Sequence, residues 1–476
     1  MTPEAQVIFA IAVFIAVYVF IISEKIHRTV VAFCGAALVV VAGILTPTKA
    51  LAYVDFNTIG LLTGMMIIVG ITRRTGFFEY LAVKAAKSAG GEPLRILAAL
   101  ALVTAVLSAF LDNVTTVLLI VPVTFAISHQ LKINPLPFLI TEIIASNIGG
   151  TATLIGDPPN IMIGSATGLG FLDFILNLTP VIVVIYVLTI FILGFIYQKD
   201  LNCEPALKQN ILSLNEQDEI KDAKLLYRCL FVLGLTILGF CVHQFLHLEN
   251  SVVALSGAAL LLLITKSDPE HALQAVEWPV IFFFLGLFIV VGALEKVGVI
   301  EALAKAAVDA TGGSLVLTGV IVLWLSAIGS AFVDNIPFVA TMIPLIQDIG
   351  RLGGIQDLSF LWWSLSLGAC LGGNGTIIGA SANVIVVGLA EKKGYPITYF
   401  GFFKVAFPLM LMSILVAQLF LLAWYHLHTI LALVVTLSIG LVLAILVRFL
   451  NKRFLYIKPE SKKKEPAESI VKKTES

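Results

Sequence analysis

Apolar residues in this chain fall in long unbroken blocks, and polar residues gather between the blocks. At about 20 apolar residues for one helical crossing of a bilayer, the first part of the chain predicts spans near 6–23, 29–46, 57–72, 137–165 and 174–197. A second series follows near 225–246, 251–266, 276–294, 359–388 and 403–425, with one more near 429–450. Two further apolar stretches, 94–129 and 314–348, are too long for one crossing, and each follows an amphipathic segment. Each reads as a re-entrant helical hairpin that returns to the side it left. The expected class is an all-α polytopic membrane protein.

The two series are copies of one another. At a shift of 222 residues, Gly35-Ala36-Ala37-Leu38 matches Gly257-Ala258-Ala259-Leu260, Gly64 matches Gly286, and Asp112-Asn113 matches Asp334-Asn335. After one inserted residue the shift becomes 223, and Gly149-Gly150-x-x-Thr153-x-Ile155-Gly156-x-x-x-Asn160 matches Gly372-Gly373-x-x-Thr376-x-Ile378-Gly379-x-x-x-Asn383. Repeats of this length are the mark of a duplicated transporter scaffold. With each hairpin returning to its own side, every copy makes an odd number of crossings, so the second copy is inverted. Lysine and arginine support this count, because they collect on the cytoplasmic side. With the N-terminus outside, only Lys49, Lys296, Lys305 and Arg351 of the 30 basic residues fall in outer segments. Hairpin 94–129 then opens inward and hairpin 314–348 outward.

Composition narrows the function. Of 476 residues, 59% are hydrophobic and 13% charged, against roughly 45–50% and about 25% in soluble domains. This excludes a soluble enzyme and a nucleic-acid-binding protein, and the 30 basic against 30 acidic residues imply no polyanionic partner. Cys34, Cys203, Cys229, Cys241 and Cys370 have no metal or redox spacing and read as packing residues. The opening MTPEAQ lacks the basic region of a cleaved signal peptide, and no phosphate-binding G-x-x-x-x-G-K-[ST] is present, so ATP energy would need another subunit. The expected organisation is a first repeat over 1–200, a cytoplasmic linker over 201–224, a second repeat over 225–425, a last span over 426–450 and a cytoplasmic tail over 451–476. The expected setting is the cell membrane, crossed many times, with the C-terminus cytoplasmic and the lipid bilayer and a small ion as partners.

A carboxylate in the middle of a span costs about 2.5–3.5 kcal/mol, so intramembrane polar residues are functional candidates. They cluster in four places: the tip Asp112, Asn113, Thr115 and Thr116; its mate Asp334 and Asn335; the segment Asn147, Gly150, Thr151, Thr153, Asp157 and Asn160; and the segment Asn374, Thr376, Ser381 and Asn383. Paired glycines and Pro158-Pro159 break the helices there, freeing backbone groups that lipid cannot satisfy. Broken helices offer carbonyl oxygens to a cation and half-helix N-termini to an anion, and Thr, Asn and Ser oxygens suit a hard ion such as Na⁺. Two pseudo-equivalent ion sites are expected, with Asp112, Asp334 and Glu142 as candidate proton carriers. Asp157, whose mate is Ala380, and Glu142, whose mate is Ser364, belong to the first half alone. Each Asp-Asn pair reads equally as a helix cap, the glycine segments as packing kinks, and Glu142 as a partner of a neighbouring helix. Asp55, Glu277 and Trp278 read as anchors at the membrane interface. The seven histidines suggest no transition-metal site, and no organic cofactor is expected; the coupling ion would be Na⁺ or H⁺.

The segments LDNVTTVLLIVPVT, NIGGTATLIGDPPN, FVDNIPFVATMIP and LGACLGGNGTIIGASANV resemble the ion transporter superfamily, in the branch of ArsB-type arsenite permeases, NhaD-type sodium/proton antiporters and the melanosomal P protein. The P-protein type is matched most fully, and a citrate-transporter-like domain describes the wider group. The resemblance covers nearly the whole chain beyond the first span. It implies a homodimeric scaffold domain and a transport domain of two hairpins and two broken helices moving as an elevator. Dicarboxylate carriers of the superfamily have Ser-Asn-Thr at the hairpin tips, where this chain has Asp112 and Asp334, and the long linker of the P protein is much shortened here. The expected function is a secondary active ion transporter coupled to Na⁺ or H⁺. Cation/proton antiport is favoured, and an arsenite, oxyanion or citrate-like carboxylate permease or a channel-like anion conductance are the alternatives. With no nucleophile and base pair in the sequence, an enzyme is not expected.

Overall fold

A computed structural model of the chain describes residues 1–23 and 25–427, with Val434 and Ser438. The expected last span near 429–450 and the tail beyond it therefore lie outside the described residues, apart from those two. The first half comprises α1 (Pro3–Ser23), α2 (Arg28–Val41), α3 (Pro47–Ala52), α4 (Phe56–Arg73), α5 (Phe77–Ser88), α6 (Pro93–Phe110), α7 (Asn113–Leu131), α8 (Leu136–Thr151), α9 (Pro158–Thr167), α10 (Phe171–Asn177) and α11 (Thr179–Tyr197). After a linker carrying α12 (Pro205–Leu212), the second half comprises α13 (Ala223–Val242), α14 (Asn250–Thr265), α15 (Pro269–Leu273), α16 (Trp278–Lys296), α17 (Val299–Thr311), α18 (Leu315–Phe332), α19 (Asn335–Gly353), α20 (Ser359–Gly372), α21 (Ser381–Lys392) and α22 (Tyr399–His426). Among the described residues nine helices are long and apolar enough to cross a bilayer. The protein is an all-helical polytopic membrane protein.

Local chemistry explains where the helices start and stop. Asp55 caps α4 through Asn57 N and Thr58 N at 3.0 and 3.1 Å, and Asp222 caps α13 through Leu225 N at 2.9 Å. The run expected over 29–46 is shorter as a helix, because Gly43 at φ 76° turns the chain and Thr46-Pro47 opens α3. Asp268-Pro269 opens α15 at the equivalent place. A capping residue followed by proline is a helix-start signal that the apolar-block pattern does not register. The resulting α2 has 14 residues, about 21 Å at 1.5 Å per residue, and begins at the half-buried Arg28.

The helices sort into two packed groups. In one, α2 lies against α16, α4 against α14, and α1 and α13 flank these pairs; in the other, the hairpins α6–α7 and α18–α19 pack on the broken helices α8–α9 and α20–α21, with α11 and α22 outside. Glycine allows the closest approaches, as in membrane helix pairs generally. A Cβ on Gly64 would stand 2.6 Å from the Ala254 carbonyl carbon, and one on its mate Gly286 would stand 2.6 Å from that of Ala32, the mate of Ala254. Likewise a Cβ on Gly149 would lie 2.1 Å from Ala105 O, and one on Gly372 would lie 2.5 Å from Ala327 O. The duplication seen in sequence is thus repeated as helix-on-helix contact, pair for pair.

The linker is docked rather than loose. Lys87 donates to Glu216, Lys208 to Glu92 at 2.5 Å, and Lys221 N to Thr75 O at 2.9 Å. The ammonium groups of Lys87 and Lys208 hold the Glu216 and Glu92 carboxyls below the ordinary carboxylate range. A lowered folded-state value contributes stability above the ordinary carboxylate pKa and loses it as pH falls through the lowered value. Amide-exchange protection of residues 205–222, corrected for intrinsic rates, should therefore hold from about pH 7 to 5 and fall below about pH 4. Protection unchanged at about pH 3 would rule out this tether. For the helix pairs, Gly149→Ala should lose about 1–3 kcal/mol by overpacking, read as a lower melting temperature in detergent. Gly234→Ala on α13, where the Cβ meets nothing within 4 Å, should melt at or above the wild-type temperature.

Candidate functional site

The hairpin tips meet the helix breaks. Thr153 Oγ1 donates to Ala109 O, and its mate Thr376 Oγ1 to Ala331 O at 2.5 Å. Ser108 Oγ donates to Ser146 O at 2.7 Å, and Ser330 Oγ to Ala369 O at 2.6 Å. Hydroxyls on each side of the contact thus take up carbonyls on the other. Asp112 caps α7, with Oδ1 accepting from Thr115 N at 2.8 Å and Oδ2 from Thr115 Oγ1 at 2.5 Å. Asp334 caps α19 through Ile336 N at 3.1 Å.

The backbone freed by the breaks is satisfied by side-chain amides. Asn160 Nδ2 donates to Thr151 O at 3.1 Å and Thr153 O at 2.9 Å; its mate Asn383 Nδ2 donates to Gly373 O at 2.8 Å and Thr376 O at 2.9 Å. The two breaks are then cross-linked between halves. Asn147 Nδ2 donates to Asn383 Oδ1 and Asn374 Oδ1, both at 2.9 Å, while Asn160 Oδ1 accepts from Ser366 Oγ at 2.6 Å and Cys370 Sγ at 3.5 Å. Cys370 is the mate of Asn147, so the thiol expected to pack also serves as a donor in this network. Thr151 O, Thr153 O, Gly373 O and Thr376 O, break carbonyls of the kind expected to face an ion, each accept from one of these amides. Asn147, Thr151, Thr153, Asn160, Asn374, Thr376 and Asn383 are buried, and Gly150 packs against Gly156 O, 2.6 Å from where its Cβ would be.

In front of this network lies a small cleft between the two helix groups. Asp112, Asn113, Asp157, Asn335 and Ser381 line it from one group, and Arg28, Leu62, Met66 and Glu277 from the other. Asp157 stands between the tips: its Oδ1 accepts from Asn113 Nδ2 at 3.5 Å, and both its oxygens accept from Asn335 Nδ2 at 3.3 Å. Arg28 Nη1 donates to Asp334 Oδ2 at 2.7 Å and to Ser381 Oγ at 2.5 Å, and Ser381 Oγ donates to the same Asp334 oxygen at 2.8 Å.

The structure brings most of the predicted residues together but leaves two apart. Glu142 is buried against Thr124 on α7, with its second oxygen unpartnered, and does not line the cleft. Thr116 is buried with its hydroxyl unpartnered. Two residues are added. Arg28 was counted as a marker of topology, and Glu277 as an interface anchor; both line the cleft because α2 and α16 begin there. A signal for Glu277 was its register with Asp55 just ahead of matched spans. Asp55 itself does sit at a helix start, where its Oδ1 also accepts from Ser165 Oγ at 2.8 Å.

The cleft can do charge chemistry of one sign. Asp112, Asp157 and Glu277 line it beside one guanidinium, that of Arg28, which is already paired with Asp334. Buried charges persist only when paired or hydrogen-bonded, and the donors that hold Asp112 and Asp157 are uncharged. Removing one buried amide while leaving its partners in place costs about 1–3 kcal/mol per orphaned group. Asn160→Ala and Asn383→Ala, each of which orphans two carbonyls, should therefore lower the melting temperature by similar amounts. A difference of more than about twofold in free-energy loss would contradict the equivalence of the two breaks.

Residues 18–368 match the family described as citrate transporter. An uncharacterized transporter of Mycobacterium tuberculosis is 45% identical over 87% of this chain and 97% of its own length. A 46 kDa membrane protein of Mycobacterium leprae is 43% identical over 87% of this chain and 98% of its own. The P protein of Sus scrofa is 37% identical over 88% of this chain, which spans 59% of that longer protein. Among solved structures, the YdaH transporter of Alcanivorax borkumensis shares the fold, with a TM-score of 0.53 at 13% identity over 80% of this chain and 88% of its own.

Proposed function

The chain belongs to the citrate transporter family and is a membrane transporter rather than an enzyme; on that premise we propose that it is a secondary active cation/proton antiporter. The observation that carries this reading is the charge balance of the cleft, three lining carboxylates, Asp112, Asp157 and Glu277, against one guanidinium that is already paired with Asp334. Among these groups Asp112 has only its own cap as partner, so a monovalent cation or a proton taken up there would offset the cost of its burial. Asn113 and Asn335, converging on Asp157, complete a polar surface to which both halves contribute. The moving unit would be the group of hairpins and broken helices. It would slide past the group built on α2, α4, α14 and α16, which also supports a homodimer, in elevator-type alternating access with Na⁺ or H⁺ as the coupling ion. The first turns of α2 and α16 edge the cleft; with those ends inside, in keeping with the spread of basic residues, this arrangement would be the inward-facing state, with the N-terminus outside and the C-terminus in the cytoplasm of a cell-membrane protein.

A second reading, permeation of a carboxylate such as citrate or of an oxyanion such as arsenite, is favoured by Arg28 in the cleft and by the description of the family. Purified protein in liposomes separates the two through lumenal pH under imposed Na⁺, Li⁺, K⁺, citrate and arsenite gradients. Antiport predicts a cation-dependent proton flux in the wild type that is lost in Asp112→Asn. Asparagine caps a helix about as well as aspartate, so the variant should keep its fold and lose only the charge. Citrate or arsenite accumulation without any cation-dependent proton flux would overturn antiport in favour of the second reading.

A further inference from the structure

The two hairpin tips occupy equivalent positions in the duplication but are chemically unlike. At the first, Thr115 supplies both donors that engage Asp112. At the second, the mate of Thr115 is Pro337, which has neither hydroxyl nor N–H. Asp334 therefore keeps Oδ1 for its cap and leaves Oδ2 without a local donor. Two residues from elsewhere fill that place: Ser381, whose own mate is Pro158, and Arg28, whose mate is the neutral Asn250. The exchange of hydroxyl for proline at both pairs of positions makes one carboxylate self-contained and the other dependent on a cation supplied from a distance.

That cation comes from the opposite helix group. Arg28 is the first residue of α2, which packs against α16, whereas Asp334 and Ser381 begin α19 and α21. A single nitrogen, Nη1, makes both contacts, and the guanidinium carbon stands 5.0 Å from the centre of the Phe283 ring on α16. The pairing lacks the two parallel bonds that make arginine–carboxylate pairs tightest, and Asp334 and Arg28 keep side-chain exposures of 10% and 23% at the cleft. Beside it, Tyr18 on α1 hydrogen-bonds Thr341 Oγ1 at 2.7 Å, a second, uncharged contact between the α1–α2 edge and the first turns of α19.

We propose that Arg28 is a tethered counter-ion that occupies Asp334 when the cleft is empty, and that the transported cation competes with it for that carboxylate. Binding would release the Arg28–Asp334 pair, among the described residues the one charged tie between the two helix groups at this end of the cleft, so that the hairpin group moves only when loaded. The proposal rests on the antiport reading and adds the residue that couples occupancy to movement.

The test is a Na⁺ titration of the purified full chain, at fixed pH and constant ionic strength with choline as the balancing ion, read by thermal stability. If Arg28 leaves Asp334 free for about a tenth of the time, Arg28→Gln should lower the Na⁺ midpoint about tenfold. Arg28→Lys, which keeps a cation at the same place, should stay near wild type, and Arg28→Gln/Asp334→Asn should lose the shift. A merely structural arginine would lower the melting temperature without moving the midpoint, and an unmoved midpoint overturns the proposal while leaving antiport standing. A wild type that responds to none of Na⁺, Li⁺ and K⁺ overturns both. Should Arg28→Gln fail to fold, a structure of the wild type at saturating Na⁺ decides: Nη1 and Oδ2 beyond hydrogen-bonding distance supports the proposal, and a retained pair refutes it.

Discussion

The helix breaks at 152–157 and 373–380 can exist inside a membrane protein only because Asn160 and Asn383 take up the carbonyls that the breaks release. A main-chain carbonyl left bare in an apolar interior costs several kcal/mol, and each break frees more than one. Placing one amide at the start of the second half-helix, aimed back at the end of the first, solves this within a single element. The amide oxygen that remains is then satisfied from the other half, by Asn147 for Asn383 and by Ser366 and Cys370 for Asn160. Neither break is complete without the opposite repeat. The duplication is therefore a structural requirement, and the hairpin tips, seated on the breaks through Thr153, Thr376, Ser108 and Ser330, inherit their position from it.

The parts of this architecture that were legible in sequence are those where one physical constraint acts on many residues. Apolar blocks mark bilayer-length helices because every lipid-facing position is under the same demand. The 222-residue register was legible because close packing fixes glycine at both members of a pair, as at Gly64 and Gly286, or Gly149 and Gly372. The tip and break residues were legible because polar atoms in apolar blocks are few. What sequence does not carry is who satisfies whom. Composition shows that Asn160 and Thr151 are oxygen-bearing, but only the fold shows that the amide of one is spent on the carbonyl of the other. Arg28 and Glu277 were hidden for the opposite reason: a charge at the end of an apolar block has an ordinary explanation in the membrane interface. Their place in the cleft follows from where α2 and α16 begin.

A strictly symmetric pair of repeats would offer two equal carboxylates and no preference between the states of a carrier. The substitutions that break the symmetry fall around the tips: Thr115 against Pro337, Pro158 against Ser381, Asp157 against Ala380, Asn250 against Arg28. Each changes a hydrogen-bond donor or a charge while leaving the helix geometry alone, since proline and serine both suit the first turn of a helix and asparagine and arginine both begin one here. The scaffold thus keeps its duplicated form, and the electrostatics do not. Asp157, unique to the first half, sits where the amides of Asn113 and Asn335 converge from both tips, so a charge bound at either tip is felt at a residue shared by the two. Coupling between the tips then needs no long pathway. It follows from placing one unmatched carboxylate on the pseudo-symmetry boundary, and one unmatched guanidinium on the helix group across the cleft.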